Sequence, residues 1–213
     1  MRKVVLIVSA VLALVGVMSG TAMAVEPLGF NPETGGFTGE GGAAKLTGPL
    51  TISCTAFSVL SGVILNKTHV DFTVHFTGCT VLGIPVNTSG DAKGVILLPL
   101  LGLLCYLPKS TKAALKVGLY TEIIETVKIE GAGAKSEVKG TVIGEVTPLN
   151  KKQKTGETIY KKTNPTECTT ENEGKGTVKK AELLANFNGG AFSKGEEEAT
   201  GKLTFEKETE VKA

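Results

Sequence analysis

Residues 69–76 read HVDFTVHF. In an extended chain Val70, Phe72, Val74 and Phe76 fall on one face, and His69, Asp71, Thr73 and His75 on the other. The pattern recurs. SEVKGTVIGEVTP (136–148) sets Val138, Val142 and Val146 against Lys139, Thr141 and Glu145, and GKLTFEKETEVK (201–212) sets Leu203, Phe205 and Val211 apart from its charges. Turn residues punctuate these runs, as in NGG at 188–190. Short alternating segments separated by polar turns predict an all-β chain, folded as an antiparallel β-sandwich or as a barrel-like sheet.

One segment admits a second reading. Residues 113–127, AALKVGLYTEIIETV, place Leu115, Leu119, Ile123 and Val127 at i, i+4 spacing, which suits one short amphipathic helix. Gly118 and the β-branched Ile123-Ile124 weaken a helix, and two strands are the preferred reading.

The N-terminus, MRKVVLIVSAVLALVGVMSGTAMA, has the layout of a secretory signal peptide. Arg2 and Lys3 supply the positive start, Val4 to Met18 the apolar run, and Ala22-Met23-Ala24 a small-x-small cleavage site. This predicts a signal peptide over 1–24 and a secreted protein, extracellular or associated with the cell surface. A Gly-rich lead-in follows over 25–48, then a single β-rich domain over 49–213. Without Arg2 and Lys3 the chain carries 21 lysines against 21 acids and no arginine. That balance argues against nucleic acid as a partner, because such interfaces concentrate positive charge and rely on Arg.

Residues 94–108, GVILLPLLGLLCYLP, form an apolar run too short for a spanning helix, with Pro99 and Gly102 inside it. Pro99 cannot donate to a strand ladder, so the run is expected to form two strands buried on both faces and joined at Pro99–Gly102. A hairpin offering this surface to lipid is the alternative.

Four cysteines, Cys54, Cys79, Cys105 and Cys168, lie behind the leader. An even count in an exported chain points to two disulfides, with three connectivities open. The reading adopted pairs Cys54 with Cys79 and Cys105 with Cys168, the second pinning the polar loop TECTTENEG to the core. No C-x-x-C pair is present, so a thiolate zinc site has little support.

Other chemistry is thin. On a strand His69 and Asp71 would point the same way about 7 Å apart, with His75 about 13–14 Å beyond Asp71, too far to share one ion. A solvated strand face is the preferred reading, with no metal site. SEVK (136–139) and KTG (154–156) match fragments of the penicillin-binding signature, and GEEEATGKL (195–203) misses a phosphate-binding loop by one residue of spacing. Each is assigned to chance. Glu196-Glu197-Glu198 reads as solvated surface within a Lys/Glu-rich run. No catalytic residue and no cofactor are expected.

Three stretches, FTGCT (76–80), GTVIGEVTPLN (140–150) and NFNGGAF (186–192), occur in this order behind the leader. In these the chain resembles an expanded group of secreted, β-rich hypothetical proteins of soil actinobacteria, of unknown function. The resemblance spans most of the mature chain, is strongest at VIGEVTPLN, and implies export and a β fold. It brings no activity or catalytic residue with it.

The expectation is therefore an exported, disulfide-stabilised binding or structural protein without catalytic activity, its partner in the cell envelope or extracellular matrix. A membrane-acting protein inserting 94–108 comes second, and a secreted hydrolase third.

Overall fold

The computed structural model describes residues 27–108, 110, 114–131, 133–171 and 176–213. The expected leader lies outside the described residues. Among these the regular elements are strands. The first eight are β1 (Gly29–Asn31), β2 (Gly35–Gly41), β3 (Ala44–Thr47), β4 (Thr51–Cys54), β5 (Ala56–Ile64), β6 (His69–Thr77), β7 (Thr80–Val81) and β8 (Ile84–Thr88). There follow β9 (Ile96–Tyr106), β10 (Val117–Gly131), β11 (Ala134–Thr147), β12 (Gln153–Tyr160), β13 (Glu167–Thr169), β14 (Val178–Lys180), β15 (Leu183–Ala185) and β16 (Ser193–Lys212).

The antiparallel pairings close on themselves. β16 pairs with β2, β2 with β5, β5 with β6 and β6 with β9. β9 then pairs with β10, β10 with β11, β11 with β12, and β12 returns to β16. The barrel-like form of the expected all-β fold is thus realised with eight strands, a size whose interior is filled by side chains or holds one small ligand. β10, β11 and β16 outrun this barrel, and their far ends enter a second, smaller circuit. There β16 pairs with β3, β3 with β4, β4 with β7, β7 with β8 and β8 with β10. β11 lies on the other side of β10, and β15 bridges β11 back to β16. Three shared strands make the two circuits one hydrogen-bonded body.

Alternation decides what faces inward. On β6, Val70, Phe72, Val74 and Phe76 are buried while Asp71 and Thr73 are exposed. On β10, Val117, Leu119, Thr121 and Ile123 are buried, and after a bulge so are Val127 and Ile129. The helix considered for 113–127 is not formed over the described part of that segment. A spacing of i, i+4 is also an even spacing, so Leu119, Ile123 and Val127 satisfy a strand equally well. The two strands preferred for that segment are one bulged strand.

The Gly-rich residues expected to be a loose lead-in supply β1, β2 and β3, and β2 completes the barrel wall between β16 and β5. Their glycines leave room for rings. A Cβ on Gly41 would run into the Phe57 ring, and one on Gly62 of the next strand into Phe37.

The apolar run at 94–108 is corrected too, because β9 is one continuous strand through Pro99. The Leu104 N–H donates to the Thr68 carbonyl, so even-numbered residues of β9 direct their N–H groups toward β6 and odd-numbered ones toward β10. The β9–β10 ladder ends at Leu100 opposite Ile123. Pro99 therefore lacks its donor on the side where no partner strand continues, the position a strand proline tolerates. Ile96, Leu98, Leu100 and Leu104 line the interior, whereas Leu97, Leu101 and Leu103 face outward and are half-buried.

Cys54 is bonded to Cys79 and Cys105 to Cys168. The first bond adjoins the barrel core. The second belongs to a separate small cluster with Leu107 and Ile143, so Cys105 is buried on the outer face of β9 and ties the β13–β14 ribbon there. Two disulfides fit an oxidising compartment.

Candidate functional site

The barrel interior encloses a cavity of about 110 Å³. Its walls are mostly apolar and aromatic, with Phe37, Phe57, Phe72, Phe76 and Phe205 among them. Polar residues line it as well, among them Thr121 from β10, Thr158 and Tyr160 from β12, and Glu197 from β16. Each occupies an inward position of its strand. On β16 the phase runs Glu197, Ala199, Gly201, Leu203, Phe205, and all five line the cavity.

These groups differ in how they are satisfied. Thr121 is fully buried; its hydroxyl donates to the Leu119 carbonyl at 3.4 Å and lies 3.1 Å from the Tyr160 hydroxyl. Either hydroxyl can donate in the bond between them, and the Tyr160 oxygen keeps a lone pair for a further donor. Burial pushes the Tyr160 phenol above its ordinary range, the Glu197 charge adds to this, and the Thr121 hydrogen bond works against it. Thr158 is buried, and its Oγ1 has no hydrogen-bond partner. Buried hydroxyls are nearly always bonded, so this one calls for a reason.

Glu197 stands in register with Leu46 of β3, at the junction of the two circuits. No hydrogen bond or ion pair holds its carboxyl among the described residues, and burial raises its pKa to about 7. A second cleft of about 100 Å³ abuts the first and shares Val142, Tyr160, Leu183 and Glu197 with it. That cleft is more polar than the chamber, carrying Asn164 and the ion pair of Lys162 with Glu196 at 3.1 Å. Tyr160 and Glu197 thus form the partition between an apolar chamber and a polar recess, which gives Glu197 its residual contact with solvent.

Glu197 was read from the sequence as solvated surface, and the structure corrects this. Its neighbours Glu196 and Glu198 do face outward, Glu196 exposed and Glu198 half-buried. The missed signal is phase: Glu197 is in step with Ala199, Leu203 and Phe205. The motifs assigned to chance lie on strands, SEVK on β11, KTG on β12, and GEEEATGKL on β16. His69 is bonded to Asn66 and Thr68 at 3.1 and 3.0 Å, and Asp71 and His75 lie on the outer face of β6. Among the described residues no group of three or more His, Cys, Asp or Glu is placed to hold a metal ion.

Chemically the chamber offers burial plus a few hydrogen-bonding groups at one wall. Glu197 is the only carboxylate among the described residues lining it, so the paired acids of glycoside hydrolysis do not meet there. No described helix is long and apolar enough to cross a membrane. Comparison with models of known families, with curated proteins and with solved structures finds no match.

Proposed function

We propose that this is an exported, disulfide-stabilised binding protein that holds a small, largely apolar molecule inside its barrel without transforming it. The observation that carries the reading is the apolar chamber with unsatisfied polar groups on one wall, since ligand sites are apolar enclosures with a few convergent polar groups. The leader-like N-terminus, the two disulfides and the resemblance to secreted actinobacterial proteins support export. Apolar residues face inward and charged ones such as Glu196, Lys202 and Glu206 outward. That polarity is the reverse of a lipid-facing barrel and weighs against the membrane-acting reading.

The test is saturable binding of isoamyl alcohol, followed by NMR shifts of the methyl groups lining the chamber. Ala199 lines the cavity and is buried, so Ala199→Leu fills space there and should abolish the shifts while the fold persists. Shifts that never saturate, or that survive this substitution, would refute the proposal.

A further inference from the structure

We infer that the chamber selects a small aliphatic ammonium, with the cation seated on Glu197 and the hydrocarbon among the inward-facing rings. The inference rests on the binding reading above and specifies its ligand.

Size sets the first limit. At about 110 Å³ the chamber is smaller than the roughly 150 Å³ engineered cavity that takes a benzene ring, so the occupant is a compact molecule of few carbons. Chemistry sets the second. Glu197 is an inward carboxyl with no hydrogen bond or ion pair among the described residues, beside apolar walls. An unpaired carboxyl in such surroundings either keeps its proton or takes a cation.

Among the described residues no lysine is paired with Glu197: Lys45 and Lys151 reach the rim of the cavity but are exposed. Lys45 pairs across the ladder with Glu198, while Leu46 pairs with Glu197. Cross-strand partners share a face, so Lys45 belongs with the outward Glu198. Lys162 is engaged with Glu196.

The phenol beside the carboxyl suits an ammonium as well. Beside its bond with Thr121 the Tyr160 oxygen keeps a lone pair for a further donor, whichever of the two hydroxyls donates. An ammonium offers three donors and no acceptor, matching the carboxylate and the phenol oxygen beside it, whereas Thr158 stands opposite Gly201, about 13 Å along β16 from Glu197, and serves another part of the chamber. An anionic ligand would meet the Glu197 charge, and a neutral alcohol would leave the carboxyl without a counter-charge.

The experiment compares three probes of one hydrocarbon skeleton on the purified protein at about pH 8, where Glu197 is mostly ionised. Isoamylamine should bind at least about tenfold more tightly than isoamyl alcohol, the range of a charge-assisted hydrogen bond, and isovalerate should not bind. In Glu197→Gln the amine should lose that advantage over the alcohol. If the alcohol binds as well as the amine, or the amine's advantage survives Glu197→Gln, the ammonium inference falls and the apolar binding site stands. If none of the three binds, both readings fall. Should Glu197→Gln fail to fold, the ratio of amine to alcohol on the native protein still decides the matter.

Discussion

The hydroxyl of Tyr160 lies 3.1 Å from that of Thr121, joining β12 to β10 across the barrel interior over 39 residues of sequence. β11 runs between these strands, so the contact reaches past a neighbour and fixes the spacing of three consecutive walls. Tyr160 also pairs with Ala199, two residues from Glu197. The bond therefore holds the tyrosine at the partition between the apolar chamber and the polar recess.

Removing one partner of this bond strands the other in an apolar setting. Tyr160→Phe and Thr121→Val should each destabilise the protein by about 1–2 kcal/mol in urea unfolding. Removing both hydroxyls takes away the bond and the stranded group together, so the double variant should lie well short of the sum. Additive losses would show that the two hydroxyls are not coupled.

Glu197 makes stability depend on pH in a direction opposite to that of an ion-paired acid. Its pKa is raised to about 7 in the folded protein by burial, against about 4.3 in the unfolded chain. Between these values the unfolded chain has released the proton and the folded protein keeps it. The unfolded state binds fewer protons, and stability falls as pH rises. The loss is at most about 4 kcal/mol across that window, reduced by the solvent contact Glu197 retains, and is complete above the folded pKa. The groups around the carboxyl are Tyr160 from β12, Lys45 on β3, and Glu196 with Lys162 at the recess. Glu197→Gln should flatten the profile between about pH 4.5 and 7. A profile with the same slope in the variant would place the titration elsewhere.

Much of the fold could be read from residues because one rule, inward at every second position, governs the barrel. HVDFTVHF was legible since its outward residues are polar. The run at 94–108 was not, because the outward positions of β9 hold Leu97, Leu101 and Leu103, and a strand apolar on both sides carries no alternation. Pro99 then looked like a break, and only the point where the β10 ladder ends explains it. Glycine misled at 25–48, where it leaves space for the Phe57 ring instead of marking a flexible segment. Glu197 was hidden by its neighbours, since three glutamates in a row resemble surface unless their phase is carried back from Phe205. Strand order around the circuits follows from contacts distant in sequence, such as Phe37 with Phe205, which local pattern does not encode.

The two disulfides close loops of different length and should differ in what they contribute. Cys105–Cys168 spans 63 residues and Cys54–Cys79 spans 25. On the chain-entropy account these are worth about 4 and about 3.5 kcal/mol. Double replacement by Ala at 105 and 168 should cost the larger amount and release the β13–β14 ribbon, since β13 meets β9 in register only at Thr169 opposite Tyr106. Hydrogen exchange would report this as fast amides at 167–169 with the barrel still protected. Protection retained there after removal of the bond would show that packing alone holds the ribbon.

Thr158 joins stability to binding in one side chain. Its Oγ1 is buried with no partner among the described residues, a desolvation cost that no described protein group offsets. Valine has nearly the same shape, with a methyl group in place of the hydroxyl. Thr158→Val should therefore stabilise the free protein, by about 1 kcal/mol in urea unfolding. The same change removes an acceptor from the chamber wall, so isoamyl alcohol, whose hydroxyl can donate there, should bind several-fold more weakly. A protein that is more stable and binds less well has kept an unfavourable group for its ligand, the trade expected where function is bought with stability. Loss of stability in the variant would mean instead that the hydroxyl is satisfied in the folded protein and serves its packing.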